Sequence, residues 1–185
     1  MNTRNDALQR ASRVKLMIFD VDGVLTDGSL YFNHEGEEFK VFNSLDGHGM
    51  RMLRESGVRL AIITGRKAPC VEWRMKNLRI DLLLQGVDNK LAALKGLLDE
   101  LGLRPEEAGF MGDDVIDLQV MDLCGFSAAP ANAHPLAKKY ARLITEHTGG
   151  FGAAREVCEF ILEAQGKLDE ALAPYLPTAH PAVAK

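Results

Sequence analysis

The sequence predicts an α/β protein, a parallel β-sheet with helices on both faces. Short aliphatic runs alternate with longer stretches of helical period, the order expected when parallel strands are joined by crossover helices. The chain has 185 residues, of which 46% are hydrophobic and 26% charged, enough for one well-cored domain but not two of ordinary size. Aromatic residues supply only 6%, so the core has to be aliphatic.

Taken in chain order, residues 1–12 are polar, lack the apolar stretch of a signal peptide, and read as a flexible N-terminus. Val14 to Val21 is the first strand, aliphatic on both faces as a buried parallel strand should be. Gly28 to Phe42 interrupts the alternation and reads as a β-hairpin turning through Asn33-His34-Glu35-Gly36. Its Tyr31, Phe32, Phe39 and Phe42 exceed what an isolated hairpin buries, which points to a partner surface. Met50, Leu53 and the following Gly57 mark a short helix, and Val58 to Thr64 the next strand. Asp81 to Leu84 is a further strand. The clearest helix is Asn89 to Leu101, with Leu91, Leu94, Leu97, Leu98 and Leu101 on one face, stopped by Gly102 and Pro105. Ala108 to Met111 and Phe126 to Ala128 are strands, with Arg142 to Thr145 a weaker one; Val115 to Leu123 and Ala153 to Ala164 are helices. The domain therefore spans 13–165, and the proline-containing residues 166–185 form a C-terminal tail.

Lys and Arg total 22 against 26 Asp and Glu, a net charge of -4, which excludes a nucleic-acid binder working through a broad basic surface but not a local basic pocket. Cys70, Cys124 and Cys158 form neither a CxxC pair nor a zinc spacing, and no apolar run is long enough to span a bilayer. A cytoplasmic protein is expected.

The chemistry concentrates at strand ends. Asp20-Val21-Asp22-Gly23 puts two acids at the carboxyl end of the first strand, where open α/β sheets gather their ligands. Gly112-Asp113-Asp114 and Asp117 follow another strand. Together these acids suit a hard divalent cation such as Mg2+, although Asp-Gly is also ordinary turn chemistry and Asp113 or Asp114 would serve equally as a helix cap. Thr64-Gly65-Arg66-Lys67 places a hydroxyl and cations at what reads as a helix start, a phosphate site or a Thr64 N-cap. Lys90 sits in the first helical turn, where an ammonium opposes the helix dipole; it is either solvated or the cation that pairs with the acids. No GxGxxG follows the first strand, which argues against a dinucleotide.

In this order, DxDG, a strand ending in Thr-Gly, a helix-start Lys and GDDxxD resemble the motifs of the haloacid dehalogenase-like phosphatases, over roughly Val14 to Ile161. That resemblance implies a Rossmann-like sheet and a Mg2+-dependent phosphoric monoester hydrolase. Asp20 would be the nucleophile that forms an aspartyl-phosphate, and Asp22 the general acid and base. Thr64 and Lys90 would hold the phosphoryl group. Asp20, Asp113 and the main-chain oxygen of Asp22 would hold the metal, with Asp114 and Asp117 as lesser candidates.

Neither Gly28–Phe42 nor Gly65–Lys90 leaves room for a cap domain. One capless subfamily, the 3-deoxy-D-manno-octulosonate 8-phosphate phosphatases, is similar at several points: Asp20 to Gly28, Gly36 to Glu38, Phe42-Asn43, Asp46-Gly47, Ile62 to Lys67, Asn89-Lys90, Gly112 to Asp114, Gly149 to Cys158 and Ala164 to Lys167. Its members are homotetramers of lipopolysaccharide biosynthesis whose hairpins meet at the centre. The resemblance implies that Asp22, Asn43, Asp46, Gly47, Arg51, Arg66, Arg74 and Lys90 bind the sugar acid phosphate. It also implies that Gln165 to Lys167 close over a neighbour's site; a frayed terminus is the plain alternative, and the reading for the residues beyond Leu176. One departure is Leu45, where many relatives carry a basic residue; it keeps a nine-carbon ulosonate 9-phosphate as an alternative substrate. A non-catalytic phosphosugar-binding subunit is the alternative from another class.

Overall fold

In the computed structural model, residues 4–177 are described. Six parallel strands form the sheet: β1 (Leu16–Phe19), β4 (Arg59–Ile63), β5 (Leu82–Leu84), β6 (Ala108–Met111), β7 (Phe126–Ala129) and β8 (Leu143–Ile144), in the order β5-β4-β1-β6-β7-β8. The remaining two, β2 (Tyr31–Phe32) and β3 (Glu38–Phe39), pair antiparallel as the hairpin, Tyr31 opposite Phe39. The strand order reverses around β1, which lies between β4 and β6. Asp20 N–H donates to Met111 O at 3.0 Å and so locks the ends of β1 and β6 together at that reversal.

The period of two along each strand divides the core between the faces. Met17 and Phe19 of β1, with Leu60 and Ile62 of β4, pack against α2 (Ser44–Glu55), α3 (Pro69–Leu78) and α7 (Ala153–Ala164). Leu16 and Ile18, with Ala61 and Ile63, face α4 (Lys90–Leu101), α5 (Leu118–Leu123) and α6 (Pro135–Tyr140). Helix α4 carries the leucine face read from the sequence, capped by the Asn89 side chain and ended by Gly102 at φ 63°.

Several boundaries differ from the sequence reading. Residues 4–11 are not a loose N-terminus but helix α1 (Arg4–Ala11), which buries Ala7 and Ala11 in the core beside α7 and pairs Arg4 with Glu163 at 2.6 Å. Two small alanines one helical turn apart bury well yet barely register as periodicity. The helix after β4 starts at Pro69 with Ala68 as its cap, five residues beyond Thr64, so Thr64 is no N-cap and lies in the loop that leaves the sheet. Val115–Asp117 forms a 3-10 turn before α5 instead of continuing it. Part of the expected tail is ordered: α8 (Leu168–Leu172) and a 3-10 turn place Tyr175 edge-on to His48 of α2, ring centroids 4.8 Å apart. Lys167 Nζ donates to Ser56 O and Gln165 Nε2 to Val14 O, both at 2.8 Å, so these two expected lid residues are tied to their own chain. The rest of the tail, 178–185, lies outside the described residues.

Candidate active site

The crevice at the carboxyl ends of β1 and β6 gathers the acids. Asp20 is the first residue beyond β1; its Oδ1 accepts from Val21 N–H at 2.7 Å, and its Oδ2 accepts from Lys90 Nζ at 2.6 Å. Lys90 reaches in from the first turn of α4 and donates a second bond to Asp117 Oδ1 at 2.7 Å. Only 6% of Lys90 is exposed, so the reading of it as a solvated surface lysine does not hold. Asp117 is fully buried, and its Oδ2 accepts from the N–H groups of Asp113 and Asp114 at 3.1 and 3.4 Å.

Asp113 and Asp114, though adjacent, do different work. Asp114 is the helix cap, Oδ1 accepting from Val115 N–H at 2.7 Å. Asp113 joins Asp20 and Asp117 in a group whose carboxylate oxygens lie within 4.8 Å of one another. The turn opposite Asp113 must be glycine: Gly23 has φ 82°, and a Cβ there would lie 2.0 Å from Asp113 Oδ2.

Three carboxylates facing one ammonium leave an excess of negative charge. Burial, then Asp117, pushes Asp20 up to about 6 against the pull of Lys90. Burial, followed by Asp117 and Asp20, pushes Asp113 up to about 7. Burial opposes charge on Lys90, but the two facing carboxylates outweigh it and raise its pKa. An all-oxygen, net-negative donor set fits a hard divalent cation such as Mg2+. Asp117 is thus a full member of the cluster, which sequence spacing alone had ranked below Asp113.

Asp22 lies in the turn that follows Asp20. Its Oδ1 accepts from Lys40 Nζ at 2.5 Å, whereas its Oδ2 is buried without a hydrogen-bond partner. Lys40 was missed in the sequence. It follows β3 of the hairpin, donates also to Glu38 Oε1 at 2.6 Å, and has a side chain only 1% exposed. Its signal was an inverted pattern: Phe39 and Val41 on either side of it point outward, 51% and 61% exposed. Arg66 closes the chain, its Nε and one terminal nitrogen on the two Glu38 oxygens at 3.2 and 3.3 Å. Thr64, buried, is the first residue beyond β4.

The remaining expected substrate residues lie along α2 and α3. Asn43 caps α2 through Leu45 N–H and donates from Nδ2 to Gly150 O at 3.1 Å. Asp46 is 2% exposed, and its two oxygens accept from Gly152 and Arg155 N–H at the start of α7, at 3.3 and 2.9 Å. Gly47 makes room for Arg74, since a Cβ there would meet the guanidinium at 2.2 Å. Arg74 donates to Asn43 O at 3.0 Å, and Arg51 pairs with Glu55 at 2.8 Å. Arg51 and Arg74 line, with Arg54 and Arg79, a pocket of about 340 Å3 that none of the clustered carboxylates reaches. The structure therefore brings Asp20, Asp22, Lys90 and Asp113 to the crevice, connects Arg66 to it through Lys40, and leaves Arg51 and Arg74 on a separate basic surface.

Comparison with known proteins gives the chain a family. Residues 73–156 match the haloacid dehalogenase-like hydrolase family model. The chain is 50% identical to the 3-deoxy-D-manno-octulosonate 8-phosphate phosphatase of Escherichia coli K12, over 90% of this chain and 88% of that one. Among solved structures, a probable phosphatase of the YrbI family from Pseudomonas syringae superposes with a TM-score of 0.92 at 50% identity, covering 95% of this chain and 99% of that one. The Moraxella catarrhalis 3-deoxy-D-manno-octulosonate 8-phosphate phosphatase, solved with magnesium, phosphate and the sugar acid, superposes with a TM-score of 0.91 at 42% identity, covering 93% and 99%. On identity sustained over nearly the whole length of both chains, the protein belongs to the 3-deoxy-D-manno-octulosonate 8-phosphate phosphatases of the haloacid dehalogenase-like hydrolases.

Proposed function

We propose that this protein is a Mg2+-dependent phosphatase that hydrolyses 3-deoxy-D-manno-octulosonate 8-phosphate to the free sugar acid and phosphate, in lipopolysaccharide biosynthesis. The observation that carries this reading is the convergence of Asp20, Asp113 and Asp117 on one point with the Lys90 ammonium between them, in a chain half identical to such phosphatases.

An oxygen of Asp20 forms a bond to phosphorus as the bond from phosphorus to the sugar oxygen breaks, and Asp22 gives that departing oxygen a proton. Water then attacks phosphorus and returns a proton to Asp22. The bond between phosphorus and Asp20 breaks, releasing phosphate and restoring both carboxyls. Thr64 and Lys90 hold the phosphoryl oxygens while charge moves across them. Asp20, Asp113 and the main-chain oxygen of Asp22 would hold Mg2+, with Asp117 beside them, and the bound ion supplies positive charge that keeps Asp20 ionised and draws charge from the phosphoryl group.

The sugar acid brings a second anion, which Arg66, Arg51 and Arg74 suit by charge and fork geometry. Because Arg51 and Arg74 lie apart from the carboxylates, we assign them to the site of an adjoining copy. A homotetramer built on the hairpins is supported by the exposure of Phe32, Phe39 and Val41 on that element. Deleting Ser29–Val41 should give smaller assemblies in light scattering, whereas a truncated protein that stays tetrameric contradicts this arrangement. The three cysteines are all free, and no helix among the described residues is long and apolar enough to cross a membrane; the cytoplasm is the compartment we assign.

Leu45, 58% exposed beside Asp46, is the feature that keeps a nine-carbon ulosonate 9-phosphate as the alternative substrate. Measuring kcat/KM with Mg2+ for the two sugar phosphates decides between them: a higher value for the eight-carbon substrate is expected, and a clear preference for the longer one overturns the assignment.

A further inference from the structure

The ion pairs between the hairpin and the crevice do more than fasten one to the other. Asp22, Lys40, Glu38 and Arg66 form a row of alternating charge. A buried ammonium is costly unless paired, and Lys40 has an acid on each of two of its protons. Among the described residues Lys40 is the one hydrogen-bond donor to the Asp22 carboxyl. It takes Oδ1 and leaves Oδ2, which is buried and unpartnered. A carboxyl that shuttles a proton has to be held at a fixed angle, and the bond from Lys40 supplies that constraint. Without Lys40 no hydrogen bond from the described residues holds the group.

We propose that Lys40 is a positioning residue for the reaction: by holding Asp22 Oδ1 it fixes the orientation in which the Asp22 carboxyl gives the proton to the departing sugar oxygen and takes it back from water. Glu38, itself gripped by Arg66, keeps Lys40 in place, so the hairpin orients the acid as well as offering an outer apolar face. This inference rests on the reading of Asp22 as general acid and base.

Leaving-group dependence tests it. A sugar alkoxide cannot leave without a proton, whereas the nitrophenolate of p-nitrophenyl phosphate can. Lys40→Met should lower kcat on the sugar phosphate by about 10- to 100-fold, part of the 10²–10⁴ that general acid–base catalysis supplies, and change KM little. It should lower kcat on p-nitrophenyl phosphate only about threefold or less on the same scale. Lys40→Arg, which restores a donor, should recover much of the loss, and adding Lys40→Met to Asp22→Asn should cost nothing further. Equal losses on both substrates, or additive losses in the double variant, would make Lys40 a merely structural tie and overturn the proposal. Lys40→Gln reads the same ratio should the methionine variant not fold. Asp22→Asn alone separates the two levels: if it discriminates between the substrates and Lys40→Met does not, only the role of Lys40 fails. If Asp22→Asn does not discriminate, the proton-donor reading fails and this inference with it.

Discussion

Two buried acids in this molecule look alike and are held in opposite ways. Asp20, at the end of β1, has 5% of its surface exposed; Asp46, in the first turn of α2, has 2%. Burial comes first among the causes that raise both carboxyls. Asp46 is answered by uncharged partners, the N–H groups of Gly152 and Arg155, which would otherwise stand unsatisfied at the start of α7. Asp20 is answered by Lys90, but Asp113 and Asp117 crowd the same point and leave a surplus of negative charge. Burial alone therefore does not mark a functional acid. The mark is charge that the surrounding fold leaves unbalanced.

The contrast breaks most sharply under substitution. Asp20→Asn should reduce phosphate release by a factor on the order of 10⁴ or more, as loss of a nucleophile does, with a melting temperature close to that of the parent. Asp46→Ala should do the reverse, costing about 1–3 kcal/mol in urea unfolding by stripping α7 of its acceptor, with a far smaller effect on kcat. If Asp46→Ala abolished turnover in a protein of unchanged stability, the two acids would not differ as described.

Acidity sharpens the comparison further. Asp20 at about 6 and Asp113 at about 7 lie above the ordinary value of 3.8, so without metal the folded chain holds these protons more tightly than the unfolded one. Its stability should then fall as pH rises from about 4 through 7. A cation competes with those same protons. The rise in melting temperature on adding Mg2+ should accordingly be larger at pH 8 than at pH 6, and a shift independent of pH would contradict the cluster's assigned role. The smallest effect is expected from Arg51→Ala, which breaks an exposed pair with Glu55 on one helix face and should leave the melting temperature within error.

What the sequence disclosed follows the same division. Asp20, Asp22, Asp113 and Lys90 were legible because each is locally unfavourable: acids at the end of an aliphatic strand, an ammonium against a helix dipole. Asp117 and Lys40 were less so, because their roles depend on which way a short turn and a two-residue strand face, and neighbouring elements decide that. The helix starting point after Thr64 was misplaced because Pro69, the residue that begins it, sits beyond a glycine and two basic residues that read equally well as a first turn. Asn43 and Asp46 were expected to bind substrate, and the bonds the structure shows on them cap helices; nothing in their spacing distinguishes a cap from a ligand. The parallel sheet itself was readable throughout, since its strands are short, aliphatic and flanked by helices of clear period.

The central claim, that Asp20 attacks phosphorus, predicts two successive displacements there, each inverting its configuration. The most direct test is to hydrolyse a sugar phosphate made chiral at phosphorus with sulfur and isotopic oxygen, in water carrying the remaining isotope, and to determine the configuration of the released thiophosphate. Retention is the predicted result. Inversion would show that water attacks the substrate directly, and the account of Asp20 would be wrong.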